Sequence, residues 1–163
     1  MGATPRVAGA EVLADGQMAA RGSYRGWEVA RGIEAAVMDG LWEVEGERVG
    51  YRFQAPAIGE HEADFNGRRF MESADRVRPL DGVQASHPTD APGLPLRGLR
   101  VADFGHGGVG VECGRMLAEY GADVVKVESH AYPDFIRIFL GSEMTPSFAS
   151  SSRTKRCLGL DLK

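Results

Sequence analysis

Hydrophobic positions between residues 99 and 128 follow the period of a strand, then of a helix, then of a strand again. The first apolar run contains Leu99, Val101, Ala102 and Phe104 and stops at Gly105. Apolar side chains then recur at spacings of three and four, as on one face of a helix, at Val109, Cys113, Met116, Leu117 and Tyr120. A second apolar run follows at Val124, Val125 and Val127. Because the connections are short, we expect a right-handed βαβ unit with parallel strands.

The rest of the chain adds a third strand, a linker and a smaller N-terminal segment. A third strand is predicted from Cys157, Leu158, Leu160 and Leu162. Residues 66–97 lose periodicity and gather four prolines, which predicts an extended linker. Alternation over residues 41–53 predicts a β-hairpin, and residues 10–21 predict a helix that Gly16 weakens. The predicted fold is α/β, with a partial Rossmann-like parallel βαβ head at residues 98–163 and a helix and β-hairpin segment at residues 1–65.

The turn between the first predicted strand and the helix fits a nucleotide-binding pattern. Gly105, Gly107 and Gly110 match G-x-G-x-x-G, and Glu128 ends the second strand, where dinucleotide folds place an acid for the ribose. Glycines let the backbone approach a phosphate at a helix N-terminus. A tight turn without a ligand fits the same pattern, and Glu112 puts a negative charge near the helix start. A NAD-binding Rossmann half of an oxidoreductase is one hypothesis for this unit.

Composition restricts the class of protein. The 163 residues are 43% hydrophobic, which is enough to build a core, and no apolar run approaches the length of a membrane span. The 23 acidic and 19 basic residues give a net charge of −4, which gives no support to a nucleic-acid partner. Cys113 and Cys157 lack C-x-x-C spacing, which favours a reducing cytoplasm. Cys113 is expected to be a small buried helix residue.

The four histidines and one pair of cations are further candidates for ligand-binding residues. His61, His87, His106 and His130 show no metal-ligand spacing, so no metal site is predicted. His61 is expected to make a structural hydrogen bond. Lys155 and Arg156 precede the third strand, either as a solvated strand entry or as cations beside a phosphate.

Four elements occur in order in the C-terminal part: PLRGLRVADF at 95–104, CGRMLAEYGADVVKVE at 113–128, the pair Asp134 and Arg137, and KRCLGLDLK at 155–163. Together they resemble the N-terminal part of class III coenzyme A transferases, the formyl-CoA transferase-like or CaiB/BaiF family, which also contains α-methylacyl-CoA racemases. Residues 11–29 and the element QAPAIGEHEADF at 54–65 resemble the closing part of such a transferase. The resemblance therefore implies the tail of one copy at 1–65 and the head of a second copy at 98–163.

The resemblance also implies a set of coenzyme-contacting residues. These are His106, Gly107, Gly108, Val109, Ser129, Arg137, Leu160, Asp161, Leu162 and Lys163. The first four form the turn after the first strand, the last four form an L-D-x-K element that binds the nucleotide end of coenzyme A, and Arg137 matches an arginine near the acyl site. Gly108 stands where the family usually has a larger side chain, and Ser129 stands where it commonly has an arginine.

The implied activity is CoA transfer between an acyl-CoA and a carboxylate through an aspartyl-CoA thioester. The aspartate is expected beyond Lys163, so no catalytic residue is assigned in this chain, which we expect to be inactive in isolation. The same holds for the acid and base of a racemase. The expected partner is a second copy, interlocked as a dimer, or the rest of a tandem chain. The departures at Gly108 and Ser129 favour a third hypothesis, a non-catalytic module that binds coenzyme or a partner.

A three-stranded parallel sheet with one clear helix needs further cover, because such sheets are normally buried on both faces. We expect residues 1–65 to supply that cover, as a permuted half-domain.

Overall fold

The computed structural model describes residues 9–30, 32–40, 42–44, 47–65, 94–139 and 144–161. The helices are α1 Gly9–Leu13, α2 Gly16–Ala20, α3 Glu62–Phe65, α4 Gly108–Glu119, α5 Phe135–Ile138 and α6 Pro146–Ser151. The strands are β1 Tyr24–Ala30, β2 Ile33–Met38, β3 Trp42–Val44, β4 Glu47–Val49, β5 Arg100–Asp103, β6 Asp123–Glu128 and β7 Arg156–Gly159.

Strands β5, β6 and β7 form a parallel sheet in that order. Helix α4 connects β5 to β6, so the predicted βαβ unit and third strand are confirmed. The central strand β6 pairs Val124 with Val101 on one side and Val127 with Leu158 on the other. The α/β fold class predicted from the hydrophobic pattern is therefore correct.

The buried face of α4 agrees with the predicted apolar face only in part. The buried positions are Val111, Gly114, Ala118 and Glu119, and Ala118 packs with Ala122 and Val124 in the core. At Gly114 a Cβ would overlap the Asp103 carboxylate, so the helix approaches the sheet through a small residue there.

The predicted apolar positions of α4 are divided between core and solvent. Leu117 is partly buried and packs against the core. Val109 is 87% exposed, and Cys113 and Met116 are also exposed. The expectation that Cys113 is buried is therefore wrong.

The described residues of the N-terminal part contain two hairpins and three short helices. Strands β3 and β4 form the predicted hairpin, with Trp42 opposite Val49. Strands β1 and β2 form a second antiparallel hairpin that the sequence analysis did not predict. The single helix expected over residues 10–21 is split, because the Asp15 side chain accepts the backbone N–H groups of Gln17 and Met18 and begins α2 there.

Residues 51–61 follow the outer edge of β7. The backbone N–H of Cys157 donates to His61 Nδ1 at 3.2 Å, and the His61 N–H donates to the Cys157 carbonyl at 3.1 Å. The Thr154 N–H donates to the Phe53 carbonyl at 2.9 Å. These bonds satisfy backbone groups that an open edge strand would expose, and they confirm the structural role expected of His61. Of the predicted linker at 66–97, residues 66–93 lie outside the described part of the chain.

Candidate functional site

The three parallel strands end at one edge of the sheet, which we call the carboxyl edge: residues 104–109, 129–130 and 160–161. Strand β7 continues into it as the Leu160 N–H donates to the Glu128 carbonyl at 3.0 Å. In open α/β sheets, ligands bind outside the carboxyl ends of the strands. The topology therefore brings the turn after β5, Ser129 and the start of the L-D-x-K element to the position where such a sheet binds its ligand.

The turn between β5 and α4 is held by buried charged groups. Asp103 Oδ1 accepts the Gly105 N–H at 2.8 Å, and Lys126 Nζ donates to the Gly105 carbonyl at 2.7 Å. The Gly107 N–H donates to Asp134 Oδ1 at 3.1 Å. Gly107 has a φ of 52°, and a Cβ there would overlap the Phe135 ring, which explains the need for glycine.

An anion from the chain itself thus occupies a backbone amide of the glycine turn. Lys126 Nζ lies 2.8 Å from Asp134 Oδ2, and both side chains are fully buried. Burial raises the pKa of Asp134, but the hydrogen bond and charge of Lys126 and the amides of Ile136 and Gly107 outweigh it, so the net pKa lies below the ordinary value. At the Gly107 amide, Asp134 takes the place that a ligand phosphate was expected to have.

Glu128, the acid at the end of β6, belongs to a second buried ion pair instead of being free to bind a ribose. Glu128 accepts Arg137 Nη2 at 2.6 Å and the Asp134 N–H at 3.0 Å, and both charged side chains are buried. The Arg137 guanidinium also donates to the Pro56 carbonyl and stacks 3.5 Å from the centre of the Phe148 ring. Burial raises the pKa of Glu128, but the hydrogen bonds from Arg137 and Asp134 outweigh this effect, so the pKa lies below its ordinary value.

This arrangement bears on two expectations. The Glu128 carboxylate faces protein groups, so it is not available to a ribose hydroxyl. Arg137 was expected near the entry of an acyl site, and its side chain is buried among protein groups, where it pairs with Glu128. The pair Asp134 and Arg137, which the sequence singled out, is held together through Glu128.

The other predicted contact residues differ in accessibility. His106, Gly108 and Val109 are exposed, whereas Gly107 is buried. Ser129 is half-buried, and its Oγ accepts the Tyr132 N–H at 3.1 Å. Leu160 and Asp161 are exposed, and Leu162 and Lys163 lie outside the described residues.

Exposed apolar side chains accompany these residues at the same edge. Phe104 is 60% exposed, and Phe135, which touches Gly107, is also exposed. Val109 and Leu160 are exposed as well, so four large apolar side chains at or next to the carboxyl edge face solvent.

Lys155 and Arg156 are neither solvated nor directed at a ligand. Lys155 is fully buried and donates to Asp103 Oδ2 at 2.9 Å and to the Val111 carbonyl at 2.6 Å. Burial lowers the pKa of Lys155 more than the Asp103 carboxylate raises it. The Arg156 guanidinium pairs with Asp123 at the opposite end of β6.

A cluster of charges joins the N-terminal segment to α4, and the sequence analysis missed it. Buried Glu119 accepts Arg115 at 2.8 Å and Arg153 at 2.7 Å. Arg52 donates to the Glu119 carbonyl at 2.8 Å and to the Ala118 carbonyl. A glutamate near a helix end has no sequence signal for burial, so partners 34 positions away could not be found from the local pattern.

The described residues contain no candidate metal site and no candidate membrane-spanning helix. Among residues 9–65 and 94–161, apart from the gaps given above, no group of three His, Cys, Asp or Glu side chains could hold a metal ion. In the same part of the chain, no helix has the length and apolar character needed to cross a bilayer.

Comparison with known proteins finds similarity to one family. The family model described as CoA-transferase family III matches residues 96–163, which contain the whole carboxyl edge. The chain is 35% identical over 153 residues to "Probable CoA-transferase Rv1866" of Mycobacterium tuberculosis, covering 93% of this chain and 18% of that protein. The C-terminal part of the chain is therefore similar to CoA-transferase family III, and the longer match is to a protein named as a probable CoA-transferase.

A second relative supports the same similarity. The alpha subunit of succinyl-CoA–L-malate CoA-transferase of Chloroflexus aurantiacus is 33% identical over 88 residues, covering 48% of this chain and 21% of that protein. The chain spans about a fifth of the length of the curated relatives it matches. No solved structure shows significant similarity to it.

Proposed function

We propose that this chain belongs to CoA-transferase family III and forms the coenzyme-binding head of an acyl-CoA:carboxylate CoA-transferase, with acyl-CoA along the carboxyl edge. The observation that carries the proposal is the convergence of three strand ends at one edge, within the residues that the family model matches. The carboxyl ends of parallel strands are the usual ligand position in such a sheet.

The proposed contacts differ in chemistry along the edge. His106, Gly108 and Val109 offer an exposed backbone turn flanked by apolar side chains. Because Asp134 already occupies the Gly107 amide, an added phosphate there would meet a buried carboxylate. We therefore assign this turn to an uncharged part of the coenzyme and place the phosphates towards Leu160, Asp161, Leu162 and Lys163. Arg137 then acts by holding Glu128 instead of touching the ligand.

The proposed reaction follows the covalent scheme implied by the family resemblance. An aspartate carboxylate attacks the thioester carbonyl of the donor, which gives a mixed anhydride and releases CoA thiolate. The thiolate attacks the aspartyl carbonyl, which forms aspartyl-CoA thioester and releases the donor carboxylate, and the acceptor carboxylate then takes CoA by the same two steps. In this proposal the nucleophile comes from outside the described residues, and the chain alone binds coenzyme without catalysing transfer.

The order of the two parts supports a tandem arrangement. The relative from M. tuberculosis aligns with 93% of the chain, so its match runs through both the tail-like and the head-like part. We propose that residues 1–65 are the tail of one copy, that residues 66–97 link it to the head at 98–163, and that a second subunit or the rest of a longer chain completes the enzyme. A cytoplasmic location is part of the same proposal, since acyl-CoA substrates and two unpaired cysteines suit a reducing compartment.

Calorimetric titration with coenzyme A and with NAD tests the proposal. We expect coenzyme A to bind and NAD to give no heat of binding, because the acid that a dinucleotide fold uses for ribose is buried with Arg137. A second arm mixes the chain with succinyl-CoA and malate, the substrates in the name of the Chloroflexus relative, and follows product by chromatography. Binding of NAD in preference to coenzyme A contradicts the proposal, and transfer by the chain alone contradicts the claim of inactivity.

One observation favours a second candidate, a non-catalytic coenzyme- or partner-binding module. Gly108 has a φ of 53° and nothing within 4 Å of where a Cβ would lie, and the Ser129 hydroxyl is engaged with Tyr132. Both positions therefore lack the longer side chains that the family uses. Such a module would bind coenzyme A but would support no transfer even when the remaining subunits are supplied. A racemase of the same family would instead exchange the α-proton of an acyl-CoA with solvent deuterium.

A further inference from the structure

One buried ion pair lies beneath the carboxyl edge. Its two members form hydrogen bonds to different peptide groups of the glycine turn. Lys126 Nζ donates to the Gly105 carbonyl at 2.7 Å, and Asp134 accepts the Gly107 N–H at 3.1 Å. The two charged groups lie 2.8 Å apart. Lys126 belongs to the central strand β6, and Asp134 begins α5, so the turn is tied to two neighbouring elements at once.

We propose that Lys126 and Asp134 are positioning residues for coenzyme binding: they fix the peptide groups of the turn at Gly105–Gly107 and with them the exposed backbone at Gly108. Neither side chain touches the ligand, because both are fully buried. The inference rests on the proposed function, since it assigns the pair a role at the edge where coenzyme is placed.

Three observations separate this role from that of an ordinary structural ion pair. Both members use further hydrogen bonds on the turn itself, at atoms two residues apart in sequence. Gly107 and Gly108 both have a positive φ, with values of 52° and 53°, a conformation that a free glycine segment has no reason to keep. Asp134 also accepts the Ile136 N–H at 3.1 Å as the N-cap of α5, which places Phe135 against Gly107.

The pair also answers to the charged groups around it. The Asp134 N–H donates to the Glu128 carboxylate on β6, and Glu128 is neutralised by Arg137, so each buried carboxylate has its own cation. Lys155, the other buried lysine, is paired with Asp103 on the far side of the turn. A change at the first pair therefore alters the turn without removing the partner of another buried charge.

The test removes the pair as a unit, because a single change would leave a buried unpaired charge and risk unfolding. The test variant is Lys126→Met with Asp134→Asn. The control variant is Arg156→Gln with Asp123→Asn, which removes a partly buried pair at the amino end of β6. Both are measured for coenzyme A affinity by calorimetry and for amide hydrogen exchange of Gly107 by NMR, with circular dichroism to confirm folding.

We expect the test variant to bind coenzyme A about tenfold more weakly than the wild-type chain, which corresponds to the loss of one well-placed hydrogen bond, while the control stays within about twofold. Exchange at Gly107 is expected to rise in the test variant alone. Equal affinities in the two folded variants, or unchanged exchange at Gly107, overturn the inference. If the test variant does not fold, Lys126→Gln with Asp134→Asn, which also removes both charges but keeps polar groups at both positions, is measured by the same two readouts. A wild-type chain that does not bind coenzyme A refutes the proposed function instead, and this result is distinct from either outcome.

Discussion

Removal of Arg137 is predicted to leave one of the most costly defects that a single change can make in this chain. Its guanidinium makes hydrogen bonds of 2.6 and 3.1 Å to Glu128 and 2.7 Å to the Pro56 carbonyl, and it stacks on Phe148. Both members of the pair are buried. In Arg137→Met, the Glu128 carboxylate keeps its amide partner from Asp134 but loses its cation.

The expected magnitude follows from the burial of both charges. Breaking a buried ion pair by removing one partner costs about 3–5 kcal/mol, because the remaining charge is left uncompensated. Glu128→Gln is expected to cost about as much, since it leaves the buried guanidinium without a carboxylate. The double variant removes both charges, so its loss of unfolding free energy should be no larger than that of either single variant, which gives a coupling energy of at least about 3 kcal/mol.

Urea unfolding followed by circular dichroism measures these free energies. The matched control is Arg100→Met, because Arg100 pairs with Asp123 at 3.9 Å while its side chain is 55% exposed. An exposed pair contributes at most about 1 kcal/mol, so this control should change stability little. The reasoning is refuted if the losses of the two single variants at the buried pair simply add, or if Arg137→Met costs no more than Arg100→Met.

Three further predictions concern backbone, thiol and carboxyl groups. Gly40→Ala should lower the midpoint of thermal unfolding strongly, because a φ of 78° is unfavourable for alanine and its Cβ would overlap a β4 carbonyl. The control Gly26→Ala, with open space around it, should change the midpoint little. Equal shifts of the midpoint in the two variants would contradict this prediction. Iodoacetamide should label exposed Cys113 and spare Cys157 in the folded chain, since burial raises the pKa of the Cys157 thiol to about 11, and mass spectrometry locates the label; modification of both at equal rates would disagree. The folded-state pKa of Glu128 lies below its ordinary value of 4.5, so its contribution to stability is present above that pH and is lost as the pH falls through the folded-state pKa. In an acid titration, the unfolding free energy of Glu128→Gln should therefore fall less steeply than that of the wild type. Identical profiles of unfolding free energy against pH would count against this prediction.

The order of β5, α4, β6 and β7 could be predicted because each has a local hydrophobic signal, and short turns join the first three of them. The buried side of α4 could be predicted only in part. Besides Val111, its buried positions are Gly114, Ala118 and Glu119, which carry little hydrophobic signal. A small residue is needed at Gly114 because the helix lies close to Asp103. This need arises from the packing, so it leaves no periodic pattern in the sequence.

The strand ends that carry the candidate site could be predicted, but the buried charges around them could not. Sequence spacing located the turn, Ser129 and the L-D-x-K element at strand ends, and topology then put them on one edge. The partners of the buried charges lie far away along the chain, as in the bond between Lys155 and Asp103, 52 positions apart. Charged residues are normally exposed, so a local reading assigns them to solvent or to a ligand. Here they form the layer beneath the site.

The hairpin of β1 and β2 was missed for a different reason. Its strand positions alternate only weakly, and β2 is exposed at Ile33, Glu34, Ala36 and Met38. A sheet that buries little apolar surface has little hydrophobic alternation to detect.

The central claim is that coenzyme A binds at the carboxyl edge, and NMR titration of the isotope-labelled chain tests it most directly. Increasing coenzyme A should shift the amide resonances of His106, Gly108, Val109, Ser129 and Asp161, while those of the β1–β2 hairpin and of Asp123 at the amino end of β6 stay unchanged. Shifts concentrated at the hairpin or at the amino ends of the strands, or no shifts at saturating coenzyme A, would contradict the account.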